Sequence, residues 1–309
     1  EAINVSNLFL PKGKLITNTK SVIEKYNQEY YTPKEPLDTE IPVAVLINGR
    51  SASASEIVSG SLQDYDRAVV VGARSFGKGL VQRPKELTYG TQLKITISRY
   101  YTPSGRCIQA LDYWNRDDNG NAIRTNAEDY NEFKTSTGRK VYDGGGILPD
   151  IQIESAGMSA ITEALLRDQA IFDFATDYFY KHKYNDISDF KFTNADYTAF
   201  KTYLDKQGFE YQTQTEKDLE EVYLVASKDN LQDDISSEYA NLMRTIDVAK
   251  KEQLNRKERE ISKLIIDELV KRYFYREGLY EYQLSHNEEI EEAKKVLQDP
   301  QRYAKILNR

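Results

Sequence analysis

The chain has 309 residues, of which 39% are hydrophobic and 29% charged, with a net charge of −7. That length allows one large or two ordinary domains, each with a real core, and the acidic balance argues against nucleic acid as a partner. Cys107 is the single cysteine, and the two histidines, His182 and His286, lie far apart in charged surroundings. These counts exclude an internal disulfide and any Cys-rich or His-rich metal site, and no cofactor is implied.

No apolar run approaches the roughly 20 residues a membrane-spanning helix needs. The chain opens at Glu1 without a basic, apolar leader. Ala2, Val5, Leu8 and Phe9 have helical spacing, and Pro11-Lys12-Gly13 ends that helix. Pro42 to Asn48 reads as a strand buried on both faces, as in parallel sheets. Ala52 to about Gln63 reads as a helix and Arg67 to Val71 as the next buried strand, which together make a βαβ crossover.

Leu93, Ile95 and Ile97 alternate with polar residues in a half-exposed strand that runs into Tyr100-Tyr101-Thr102-Pro103-Ser104-Gly105. Residues 110–140, including Asp117, Asp118, Asn119 and Gly120, read as a long surface loop or hairpin. Thirteen of the 16 glycines lie at or before Gly146, so the first half is expected to be a turn-rich sheet structure and the second mostly helical. The boundary is placed between Ile153 and Gly157, giving segments 1–155 and 156–309. A long periodic segment runs from Asp234 to Tyr275, and its charged middle, Lys250 to Glu260, reads as a solvated helix face.

Two short segments carry the chemistry. In Asn48 to Ile57, small residues crowd a strand-to-helix junction, where main-chain N–H groups point at an anion. A serine there can attack a carbonyl while neighbouring amides hold the oxyanion. It can equally be a helix N-cap, and this segment alone leaves both roles open. The second segment, Gly72 to Gln82, nearly matches a phosphate-cradling loop, but Gly79 stands where a Ser or Thr must bind magnesium and Pro84 interrupts any following helix.

The two segments flank one βαβ unit, and a Ser/Lys dyad between them explains a hydrolase with no usable histidine. Bringing a lysine from about 10.4 to about 7 takes roughly 4–5 kcal/mol of cation destabilisation. Burial of Lys78 among Phe76, the flanking glycines and apolar strands is the expected source. The bland reading of Lys78 is a turn lysine.

Ser51-Ala-Ser-Ala-Ser-Glu-Ile57, Arg67-Ala-Val-Val-Val-Gly72, Phe76-Gly-Lys-Gly79 with Val81-Gln82, Arg99-Tyr-Tyr-Thr-Pro-Ser-Gly105 and Gly145-Gly-Ile-Leu-Pro-Asp150 together resemble successive blocks of the carboxyl-terminal (tail-specific) processing peptidases, peptidase family S41. The resemblance covers roughly residues 1–155 and implies a partial ClpP/crotonase-like β/α core, followed by a mostly α-helical C-terminal region. It implies Ser53 as nucleophile, Lys78 as base, Gln82 orienting the lysine and the Ala54 amide as an oxyanion donor. The implied activity is that of a serine-type endopeptidase cutting extended or unfolded polypeptides near their C-termini, in the bacterial periplasm or cell envelope.

Two parts of the family pattern are absent from this sequence: a glycine-rich block carrying the other oxyanion donor, and a PDZ domain. The chain is therefore expected to be a poorly active fragment. The expected partners are a polypeptide substrate and, at the helical region, a second copy or an adaptor. Two rival readings stay open: a non-catalytic binding or scaffold module with a protease-like core, and an acyl-CoA enzyme of the crotonase kind, which leaves the Ser53 and Lys78 pair unexplained.

Overall fold

Val69, Val70 and Val71 have no solvent-exposed surface, and the first part of the protein is built around the strand they form. The computed structural model describes residues 1–117, 120–153 and 158–309. Asp118 and Asn119 of the expected surface loop, and residues 154–157 of the expected boundary, lie outside the described residues. The chain divides into two compact units: residues 1–155 with Asn287–Arg309, and residues 156–286.

Unit 1 opens with α1 (Ala2–Asn7), β1 (Leu15–Lys20) and β2 (Gln28–Tyr31). The predicted crossover follows as β3 (Ala44–Ile47), α2 (Ala54–Asp64) and β4 (Val69–Gly72). Next come β5 (Leu80–Glu86), β6 (Gln92–Tyr101), a hairpin of β7 (Leu111–Arg116) and β8 (Ala122–Arg124), then β9 (Glu132–Lys134), β10 (Lys140–Tyr142) and β11 (Ile151–Gln152). Strand β4 is the centre of a parallel sheet ordered β11-β4-β3, and an antiparallel sheet is ordered β2-β1-β6-β5.

Alternation along β4 separates two cores. Val70 packs with Ile47, Tyr100, Ile108 and Ile147. Val69 and Val71 face the opposite way, into a cluster with Ala293, Val296, Tyr303 and Leu307. The expectation that Pro42 to Asn48 is buried on both faces is corrected here: β3 is an edge strand, and Leu46 is 43% exposed.

Unit 2 is helical, with α3 (Ala160–Arg167), α4 (Ala170–Lys181), α5 (Asn194–Gln207), α6 (Gln214–Lys228), α7 (Gln232–Arg256) and α8 (Glu258–His286). Ile171, Phe174, Phe200, Ile261, Ile265 and Leu269 are among the residues of its core. The charged stretch Lys250 to Glu260 contains a break that periodicity did not show: α7 ends at Arg256 and α8 begins at Glu258.

The assignment of 156–309 to one extension is corrected at its end. Helices α9 (Glu288–Leu297) and α10 (Pro300–Ile306) belong to unit 1. The cause is both apolar and polar. Val296 and Leu307 are fully buried against the sheet, while the Tyr303 hydroxyl accepts the Val43 N–H at 3.0 Å. A β/α core followed by a mostly helical region is thus the architecture, with the last two helices returned to the core.

Candidate active site

Ser53 is the residue immediately before α2, and its φ of 57° with ψ of −110° lies outside the regions open to most L-residues. Such a conformation costs of order 1–3 kcal/mol and persists only where the surroundings over-determine it. They do so here through Glu56. Its carboxylate is fully buried and accepts four hydrogen bonds: from the N–H of Ser53 at 2.8 Å, the Ser75 hydroxyl at 2.5 Å, and the N–H groups of Gly77 at 2.7 Å and Lys78 at 2.9 Å. Ser53 and Lys78 meet the same oxygen, Oε2, so their main-chain nitrogens are less than about 6 Å apart.

A second clamp reinforces the first. The Tyr100 hydroxyl donates to the Lys78 carbonyl and lies 3.4 Å from the Ser53 carbonyl. Burial, helped by the Glu56 charge and Cys107, pushes the Tyr100 phenol far above its ordinary range. It therefore remains a donor. Ser75 relays the arrangement onward by accepting the Ile147 N–H at 2.6 Å. Asp150 pins the same block to the central strand, accepting the Val70 N–H at 2.8 Å. The Thr102 to Gly105 turn is held to α2 where Asp64 accepts the Ser104 N–H at 2.9 Å.

The glycines around Lys78 have a steric cause. Gly77 has φ +86°, and a Cβ there would lie 2.3 Å from the Ala110 Cβ; one at Gly79 would lie 2.9 Å from the Gln109 N. Contacts that short leave no room for a side chain, so the loop lies flat against residues 108–110. Side-chain burial is the opposite of what the sequence suggested. Lys78 is exposed and Phe76 is 43% exposed. The glycines let the backbone approach, which turns the lysine outward instead of burying it.

Among the predicted site residues, the main chains of Ser53, Ala54 and Lys78 come together. Ala54 begins α2, so its N–H is among those the helix leaves without an internal partner. Gln82 lies on β5, where its carboxamide donates to Thr96 Oγ1 at 3.4 Å across the β5–β6 pair. The neighbouring serines differ from Ser53: the Ser51 hydroxyl accepts the Asn48 N–H at 3.1 Å, which closes a turn. Glu56 and Tyr100 were not singled out by sequence reasoning, although Ser53-x-x-Glu56 has the spacing of a helix capping box.

Residues 1–113 match the family model of peptidase family S41. Residues 161–297 match a second model, described as "Probable PDZ-protease, C-terminal helical domain". The chain is similar to the carboxy-terminal-processing protease of Bartonella bacilliformis, at 44% identity over 111 residues, 36% of this chain and 25% of that protein. A carboxyl-terminal-processing protease of Synechocystis sp. is 38% identical over 35% of this chain and 25% of its own length. A probable CtpA-like serine protease of Staphylococcus aureus is 27% identical over 79% of this chain and 44% of its own length. The chain thus spans a quarter of the length of the first two relatives. A solved photosystem II D1 C-terminal processing protease shares 25% identity over 50% of this chain and 30% of that one, with a TM-score of 0.35. Among the described residues, no helix is long and apolar enough to cross a membrane.

Proposed function

We propose that unit 1 carries the Ser/Lys dyad of a serine-type endopeptidase that cuts extended or unfolded polypeptides near their C-termini. The observation that carries this reading is the shared Glu56 carboxylate, which ties the strained Ser53 and the loop of Lys78 to one oxygen. The Lys78 amine takes the proton from the Ser53 hydroxyl and the oxygen attacks the peptide carbonyl; the C–N bond then breaks as Lys78 gives that proton to the leaving amine, and water hydrolyses the resulting acyl-enzyme ester. The Ala54 N–H faces the developing oxyanion; orientation of the amine by Gln82 rests on the family resemblance alone, since its carboxamide donates to Thr96. The match of residues 1–113 to the S41 family model and the names of the similar proteins support peptide hydrolysis. The family resemblance supports a periplasmic or cell-envelope site of action.

One observation favours a second reading, a non-catalytic binding module with a protease-like core. A lysine acting as base needs a desolvated amine, and Lys78 is exposed. Hydrolysis of an unfolded casein-like substrate by the full-length gene product separates the two. The dyad predicts that Ser53→Ala and Lys78→Ala each lower turnover by at least about 10³-fold without changing the melting temperature. Ser51→Ala and Ser55→Ala should keep much of the activity. Loss of activity in Ser51→Ala alone contradicts the assignment, and absence of turnover in the wild type favours the scaffold.

A further inference from the structure

Trp114 is the only tryptophan in the chain and is 92% exposed. Exposure alone does not set it apart, since Tyr89 is fully exposed as well, but the Trp114 ring carries a large apolar area whose burial is favourable. The chain presents this ring on a built feature. In the β7–β8 hairpin, Asp112 pairs with Ile123 and Arg116 with Ala122. Consecutive residues on β8 therefore face two on β7 that are four apart, which pushes Tyr113, Trp114 and Asn115 out of the ladder. The Asp112 carboxylate holds this bulge by accepting the N–H of Trp114 at 2.8 Å and the Asn115 side-chain amide at 2.7 Å. Bulges of this kind re-aim a side chain and recur beside active sites.

The foot of the hairpin is fastened to the loop that carries Lys78, on both strands. On the β7 side, Ala110 N–H donates to the Gly77 carbonyl at 2.9 Å, and Gln109 Oε1 accepts the Gly79 N–H at 2.7 Å. On the β8 side, the Arg124 guanidinium donates to the Phe76 carbonyl at 3.3 Å. Trp114 stands in the bulge between the second and third paired positions of the hairpin, counted from the Leu111–Arg124 pair at its foot. Phe76, at its foot, is also exposed. The family match ends at residue 113, one residue before the Trp114 ring.

We infer that the β7–β8 hairpin is a specificity element that grips the substrate, with Trp114 packing on an aromatic or long aliphatic side chain of the extended polypeptide. The inference rests on the reading of Ser53 and Lys78 as the site, and continuity with the Lys78 loop selects the occupant. A chain passing Ser53 lies beside the Lys78 loop, which shares the Glu56 carboxylate with Ser53 and is bonded to the foot of the hairpin. An interfacial tryptophan in such a position is a typical binding hot spot.

The test uses the full-length protein carrying Ser53→Ala, so that nothing is cut, and a fluorescein-labelled unfolded peptide of about 15 residues that contains Phe and Leu but no Trp. The emission lost in Trp114→Phe, taken as the Trp114 contribution, should move to shorter wavelength and become less accessible to acrylamide as the peptide saturates. Trp114→Ala should weaken peptide binding by about tenfold with an unchanged melting temperature, and Trp114→Phe should restore most of it. Equal affinity in Trp114→Ala, or no peptide binding at all, overturns the inference. A blue shift that grows with protein concentration in the absence of peptide also overturns it, since the occupant is then a second copy. Fluorophosphonate labelling of the Ser53 form keeps the two claims apart. A labelled Ser53 with an indifferent Trp114 removes the hairpin alone, and an unlabelled Ser53 with peptide held at Trp114 removes the dyad alone.

Discussion

Glu56 and Lys78, 22 residues apart in sequence, are joined by a 2.9 Å hydrogen bond from the lysine main-chain N–H to the carboxylate. Three more donors share that carboxylate, the N–H groups of Ser53 and Gly77 and the Ser75 hydroxyl, and Glu56 itself is fully buried. Hydrogen bonds to a charged acceptor are worth roughly 1.5–3 kcal/mol each, and a buried donor left without one carries a further penalty. Glu56→Gln keeps the shape but turns an NH₂ group toward donors. The expected loss is about 3 kcal/mol, or a fall in melting temperature of roughly 6–12 °C for a unit of this size. Calorimetry measures it, and Ser53 reactivity should fall with it.

Gly77 and Gly138 form a matched pair of probes. Both have positive φ, +86° and +88°, but a Cβ at Gly138 meets nothing within 4 Å, whereas one at Gly77 collides with Ala110. Gly138→Ala should cost only the backbone term, about 1 kcal/mol. Gly77→Ala should add about 1–3 kcal/mol of overpacking and displace the Lys78 loop. Urea denaturation of the two variants gives the difference directly.

Much of this was legible in the sequence, and the failures have physical causes. The βαβ crossover and the Ser53 junction follow from local patterns in Pro42 to Val71. The five blocks also read correctly as one assembly. The role of Glu56 did not, because its partners Ser75, Gly77 and Lys78 reach it only after the chain has passed through β4. The exposure of Lys78 was misread because flanking glycines permit a close approach without saying which atoms approach. Ala293, Val296, Tyr303 and Leu307 lie at helical spacing, yet spacing alone does not say which sheet they cover. They cover β4.

Acid should loosen the helical unit through Glu216. Burial alone would raise its pKa, but the Lys250 ammonium at 2.7 Å and the N–H and hydroxyl of Thr213 outweigh it and hold the carboxyl below its ordinary 4.5. A carboxyl whose pKa is lowered on folding contributes stability that is present above 4.5 and lost as pH falls through the lower folded value. Hydrogen exchange along α6 should therefore accelerate below about pH 4.5 relative to α4. Glu216→Gln should be less protected at neutral pH and should flatten that response.

The most direct measurement is the site and lysine dependence of covalent labelling. The full-length gene product is treated with a fluorophosphonate, and the adduct is located by peptide mass spectrometry. The dyad predicts a single adduct on Ser53 that disappears in Lys78→Met while the melting temperature holds. An adduct on Ser51 or Ser55, or undiminished labelling of Ser53 in Lys78→Met, would contradict it.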